Sequence, residues 1–144
     1  ENMQLIARRL NIPLASGERI YTRWGYRPFY EKRVLSVIQP DICTCGGITE
    51  AKKICDMAHT YDISVQIHVC GSPVTTAAAL QLEAVIPNFL IHEHNTVAQK
   101  KAMTEMCVYD YQPVQGHFFV PDLPGLGQLF RDDIMSGYLS CIIE

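Results

Sequence analysis

Apolar residues along this chain recur at two spacings that take turns. Met3, Leu5, Ile6 and Leu10 lie at helical intervals, so the spacing predicts a helix over 2–11. A short buried strand running into a loop follows over 12–18, then a helix over 27–35 and a strand over 36–42. Gly46 and Gly47 read as a turn. Residues Thr49 to Tyr61 give the clearest helix, with Ile54, Met57, Ala58 and Tyr61 on one face and Thr49 as its expected N-cap. The β-branched run 63–68 predicts a third strand. Pro73, a residue suited to the first turn of a helix, opens an Ala-rich helix to about Val85, and 88–93 reads as a fourth strand. This alternation is that of an α/β chain with a parallel sheet and crossover helices, its short apolar strands covered on both faces. After Asn95 the pattern changes. A helical piece over 97–106 gives way to a Pro/Gly-rich extended segment over 116–127 and a helical end over 131–139. The division expected is therefore 1–95 and 96–144.

Composition narrows the function classes. Apolar residues make up 48% and charged residues 19%, which excludes a disordered chain. The net charge of −3, with no Lys/Arg block, argues against nucleic acid as a partner. No apolar run is long enough for a membrane span. With an adequate core and no visible signal peptide, the 6 cysteines read as reduced thiols, which places the expected compartment in the cytoplasm.

The chemistry gathers where each predicted strand stops. The four strands end at Glu18, Asp41, His68 and Glu93, with spacings of 23, 27 and 25 residues. In a βα barrel all parallel strands end on one face, and that face carries the active site. Three carboxylates and a histidine at equivalent points of four units are therefore expected to converge. Asp41 and His68 lie on adjacent strands, so the carboxylate can fix the tautomer and orientation of the imidazole, making His68 a candidate general base. Glu18 is a hard oxygen ligand suited to Mg²⁺. Glu93 could hold or protonate a substrate oxygen. The plainer readings are a turn cap for Asp41, an interior histidine for His68, and pairing of Glu18 with Arg19 or Arg23.

The stretches IPLASGERIYTRWGYRPFYE (12–31), VIQPDICTCGGITEAKKICDMAHTYDI (37–63), IHVCGSPVTTAAALQLEAVIPNFLIHEH (67–94) and PDLPGLG (121–127) resemble the enolase superfamily. The similarity is to its mandelate racemase/muconate lactonizing branch, and within that to acid-sugar dehydratases of the galactonate dehydratase type. The resemblance implies the C-terminal half of a modified (β/α)7β barrel, plus a tail that belongs to a capping domain. It implies Mg²⁺ as cofactor and a small sugar acid as substrate. It makes Glu18 the third metal ligand, Asp41 and His68 the dyad that removes the α-proton, and Glu93 the residue that engages the substrate carboxylate or its enolate. The leaving-group acid and two further metal ligands would lie on earlier strands, so the chain alone is expected to bind Mg²⁺ poorly and to be inactive. The full-length protein is expected to be a homo-oligomer.

The sequence departs from that pattern after the base. Here Ile67-His68-Val69-Cys70-Gly71-Ser72-Pro73 stands where galactonate dehydratases carry a motif like P-H-C-P-L-G-P, so the pocket loop differs. Arg19, Arg23 and Arg27 could contact a second carboxylate of a diacid, or be surface arginines. Trp24, Tyr21 and Tyr26 could line the pocket mouth or a subunit contact. Racemisation and cycloisomerisation use the same scaffold. A zinc module built on Cys43, Cys45, His92 and His94 is the reading from a different class, and a non-catalytic half-barrel interaction protein is a third.

Overall fold

The computed structural model describes residues 2–138 and Cys141. Helix α1 (Asn2–Ala7) is followed by β1 (Ala15–Ser16), α2 (Thr22–Glu31), β2 (Val37–Ile38), α3 (Gly47–His59), β3 (Ser64–Val65) and α4 (Pro73–Glu83). The three strands form one sheet in the order β1-β2-β3, parallel throughout, with Ala15 opposite Val37 and Val37 opposite Ser64. The expected fourth strand is a single parallel bridge, Val65 to Phe89, held by Val65 N–H to Asn88 O and Leu90 N–H to Val65 O, both 2.8 Å. The parallel βα order expected from the hydrophobic pattern is therefore present.

The regular strands are shorter than the apolar runs, and particular residues explain why. Gly17 has φ +148°, a conformation L side chains avoid, and it bends the chain after Ser16. Pro40 has no N–H to give to a ladder. Pairing nevertheless continues past the ends of β2 and β3, with Gln66 N–H donating to Ile38 O and His68 N–H to Pro40 O, each at 3.0 Å. Asp41 and His68 are consequently bridge partners. Residues 12–18 are not a buried strand: Ala15 is exposed and Ser16 half-buried, because β1 has β2 as its sole partner in this sheet.

Side chains alternate between the two sides of the sheet. Ile38, Val65, Ile67 and Val69 are buried on the helix side, together with Ile54 and Ala58 of α3 and Ala78, Ala79 and Leu82 of α4. Ser64, Gln66 and His68 lie on the other side and are half-buried. That second side is the face on which Glu18, Asp41 and His68 meet.

Helix boundaries depart from the sequence reading in three of the helices, and the first, expected over 2–11, is α1, which ends at Ala7. The helix expected over 27–35 is α2, which begins at Thr22 and contains Pro28. Its start is satisfied from outside: Glu50 Oε1 accepts the Arg23 N–H at 2.8 Å, and Glu50 Oε2 meets the Arg23 guanidinium at 2.6 Å. Its inner face is anchored by Tyr26 and Tyr30, both fully buried, whose hydroxyls donate to Gly17 O (2.7 Å) and Ile54 O (3.1 Å). In α3 the N-cap is Gly46 rather than Thr49, because Gly46 (φ +120°) and Gly47 (φ +85°) turn the chain into the helix three residues earlier. The face expected on α3 is present: Ile54 and Ala58 are buried, with Met57 and Tyr61 packed partly against the core.

Beyond Asn95 the chain is largely irregular. The helical piece expected over 97–106 is a 3-10 turn, Thr96–Gln99, and a short α5 (Lys101–Thr104), separated by extended Lys100. The end expected over 131–139 is helical at α6 (Asp132–Met135), and its last residue lies outside the described residues. An antiparallel bridge joins Cys107 to Phe130, and Gln81 of α4 donates to Pro121 O at 2.8 Å, fastening this segment to the βα region.

Candidate active site

Glu18, Asp41 and His68 meet at the C-terminal ends of the strands. Bridge pairing sets Asp41 beside His68, and His68 Nδ1 lies 2.7 Å from Asp41 Oδ2. The other oxygen of Asp41 accepts the Cys43 N–H at 2.7 Å, so the carboxylate is held from both sides and is nearly buried. With Nδ1 committed to Asp41, Nε2 is the ring nitrogen left to work on the open face. It lies 2.9 Å from Glu18 Oε2.

Strict alternation along β1 would send Glu18 toward the helices, because Ser16 is opposite Ile38. The bend at Gly17 redirects it. A Cβ at Gly17 would lie 2.6 Å from the Tyr26 hydroxyl, and Ile20 N–H closes a turn on Gly17 O at 2.8 Å. A glycine backed by a buried tyrosine therefore aims Glu18 at the histidine. The Glu18 side chain stays 49% exposed, which leaves its oxygens accessible.

Glu93 reaches the same strand end by another route. Its Oε2 accepts the N–H of Val69, the residue after His68, at 2.8 Å. One carboxylate oxygen is thus anchored on strand three, and the other has no bonded partner among the described residues. Glu18, Asp41 and His68 come together at the strand ends, and Glu93 is bonded to the residue that follows His68. Sequence reasoning missed the layer beneath them. Gln39 and Gln66 sit one register step below Asp41 and His68, and Gln39 Nε2 donates to Gln66 Oε1 at 2.6 Å. The available signal was position: each glutamine precedes its dyad member by two residues, on the same side of its strand.

The arginines sort themselves by partner. Arg23 is bound to Glu50 with its guanidinium 3.9 Å from the Trp24 ring, and Arg27 is paired with Glu31 on an exposed face. Neither reaches the dyad. Arg19 lies beside Glu18 at 3.4 Å and is largely free in solvent. Tyr26 belongs to the core rather than to a pocket mouth, while Tyr21 and Trp24 are exposed.

Glu18 fits one position in a Mg²⁺ site, being an accessible carboxylate with hard oxygen donors. The described residues contain no group of three or more His, Cys, Asp or Glu placed to hold a metal ion, so any further ligands would come from outside this set. The same observation overturns the zinc module. His92 Nδ1 is taken by Glu83 at 2.7 Å, and Cys45 is buried with its thiol pushed up to about 11 by that burial, while Cys43 is exposed. A thiol held protonated is a poor metal ligand.

No helix among the described residues is long and apolar enough to cross a membrane. Comparison with known proteins agrees with the geometry. A D-xylonate dehydratase of Haloferax volcanii is 32% identical over 136 residues, covering 94% of this chain and 33% of that protein. A D-galactonate dehydratase of Pectobacterium atrosepticum is 30% identical over 135 residues, covering 90% and 35%. The crystal structure of an enolase superfamily member from Salmonella Typhimurium superimposes with a TM-score of 0.91 at 60% identity, covering 94% of this chain and 34% of that one. The chain thus spans about a third of the length of the relatives it matches. Residues 1–134 match the enolase C-terminal domain-like family, and with the parallel barrel arc and strand-end carboxylates described above, the chain belongs to that family.

Proposed function

We propose that this chain supplies the proton-abstracting part of a Mg²⁺-dependent acid-sugar dehydratase, a hydro-lyase that converts an aldonate or aldarate to a 2-keto-3-deoxy acid. The single observation behind this reading is the Asp41–His68 pair, 2.7 Å apart at the end of a parallel strand pair, with Glu18 2.9 Å from the free ring nitrogen and Glu93 bonded to Val69 N–H. His68 Nε2 takes the proton α to the substrate carboxylate. Asp41 holds the ring through Nδ1, so Nε2 faces the substrate in a fixed orientation. Glu93, fixed by Val69 N–H, presents its other oxygen to the carboxylate end of the substrate. The β-hydroxyl then leaves as water, and the enol tautomerises to the keto acid. Glu18 would be one ligand of a Mg²⁺ ion, which would supply positive charge to offset the negative charge left by proton removal.

The remaining ligands and the leaving-group acid are assigned to polypeptide outside this chain. The relatives' threefold greater length supports that assignment. Residues 1–95 form the barrel arc and 96–144 the segment that returns to a capping domain. The names of the two curated relatives favour dehydration over racemisation or cycloisomerisation on the same scaffold.

A chimera tests this. The chain is fused to the N-terminal two-thirds of the Salmonella relative and offered D-galactonate, D-xylonate and a set of aldarates with and without Mg²⁺. Mg²⁺-dependent release of a 2-keto-3-deoxy acid from at least one substrate is expected. A folded chimera that turns over none of them contradicts the reading.

A further inference from the structure

Behind the site, on the helix side of strand four, lies a polar pair the mechanism does not use. His92 Nδ1 and Glu83 Oε2 are 2.7 Å apart, with side chains only 8% and 5% exposed. Glu83 closes the C-terminal end of α4, where the helix dipole disfavours a carboxylate. Burial raises the Glu83 carboxyl above its ordinary value, and the His92 bond offsets part of that. The pair is not fully satisfied: among the described residues, Glu83 Oε1 and His92 Nε2 are buried without partners. Such a pair is a poor source of stability, since apolar replacements of similar size cost little or even help. A directional bond does what apolar packing cannot, which is to fix the position and angle of the backbone that carries it.

That backbone matters. His92 and Glu93 are consecutive, and their side chains bond to different elements, His92 to Glu83 at the end of α4 and Glu93 to Val69 N–H. Strand four has one bridge to the sheet, at Phe89, with Asn88 Nδ2 bonded to Ile63 O and Cys55 O at the segment's start. At the far end the His92–Glu83 bond is the matching anchor. The Phe118 ring, 4.4 Å from the His92 ring, closes the remaining side, and Gln81–Pro121 fastens that tail to the same helix. We propose that Glu83 and His92 act as a tether that positions Glu93: the bond on the helix side holds the strand so that the Glu93 carboxylate reaches Val69 N–H and keeps its second oxygen on the open face. This assignment rests on Glu93 being the substrate-facing carboxylate proposed above.

The test uses the chimera and a readout independent of turnover. The double variant Glu83→Leu/His92→Phe removes both polar partners together, so no lone charge is left buried. Amide exchange at Val69 is expected to accelerate about tenfold while the melting temperature changes little. Glu83→Gln keeps an acceptor for His92 Nδ1–H and is expected to retain Val69 protection. In steady-state kinetics kcat is expected to fall about tenfold with KM nearly constant, and the loss is expected to disappear when Glu93→Gln is already present. Unchanged Val69 exchange in the double variant overturns the tether, whatever the activity. Equal loss with and without Glu93→Gln overturns it as well. A chimera with no turnover defeats the dehydratase reading and leaves the Val69 measurement to decide the tether.

Discussion

Residues 12–93 and residues 96–138 are built on different principles. In the first region α2, α3 and α4 cover one side of short parallel strands, leaving the other side open rather than covered on both faces as the apolar pattern predicts, and nearly every core residue comes from this region. In the second, Cys107 is the one buried hydrophobic residue among those described, and Phe119, Leu129 and Tyr138 are exposed. There the chain is held by backbone and amide bonds, such as Arg131 N–H to Met106 O (3.1 Å) and the Gln128 side chain bridging Tyr109 N and O. The first region gains its shape from burial and places charged groups at the ends of buried strands. The second borrows its shape from the first, through Gln81 and through the Phe118 ring on His92. Chemistry therefore belongs where a rigid apolar scaffold ends in polar groups, and the tail serves as a strap.

The largest effect separating the regions is in the core. Ile54→Ala, at a fully buried position, is expected to cost about 2–5 kcal/mol in urea unfolding. Phe119→Ala, at a residue 72% exposed, is expected to change stability by no more than about 0.5 kcal/mol. Comparable losses from both would erase the distinction. Next is Gly17→Ala, which places a Cβ against the Tyr26 hydroxyl in a backbone conformation alanine avoids. A loss of about 1–3 kcal/mol is expected, together with weaker Mg²⁺ binding in the chimera as Glu18 is displaced. Gln81→Ala removes one bond of the strap. It is expected to cost about 0.5–1.5 kcal/mol and to speed limited proteolysis in the tail before the βα region is cut.

The smallest effect is a pH dependence. Burial raises the Glu83 carboxyl in the folded chain, so the native state binds that proton more tightly than the unfolded state does. The stability associated with protonated Glu83 is complete below its ordinary value of 4.5 and is lost as pH rises through the raised one. Melting curves of wild type against Glu83→Gln are expected to show wild type losing ground over that interval. Parallel curves would contradict the assignment.

The strand ends were legible because an apolar β-branched run that stops at an ionisable residue marks both the strand and its terminus, as at Ile63 to His68. The start of helix α2 leaves no local mark in the sequence because it has no capping side chain of its own. The cap is Glu50, 27 residues away, and no local pattern announces that. Thr49 was a plausible cap on residue type, but two glycines with positive φ began the helix sooner. The aim of Glu18 depends on a bend at Gly17 held by Tyr26, and the Glu83–His92 bond joins a helix end to a strand. Both are tertiary facts, carried by pairs whose spacing has no periodic meaning.

The central claim is that His68 removes the α-proton. In the folded chimera, His68→Ala is expected to lower kcat by about 10²–10⁴ and to abolish exchange of the substrate α-proton with deuterated solvent, while Mg²⁺ binding stays near wild type. Exchange at the wild-type rate in His68→Ala, with the fold intact, would contradict it and leave the Asp41–His68 pair as a structural contact.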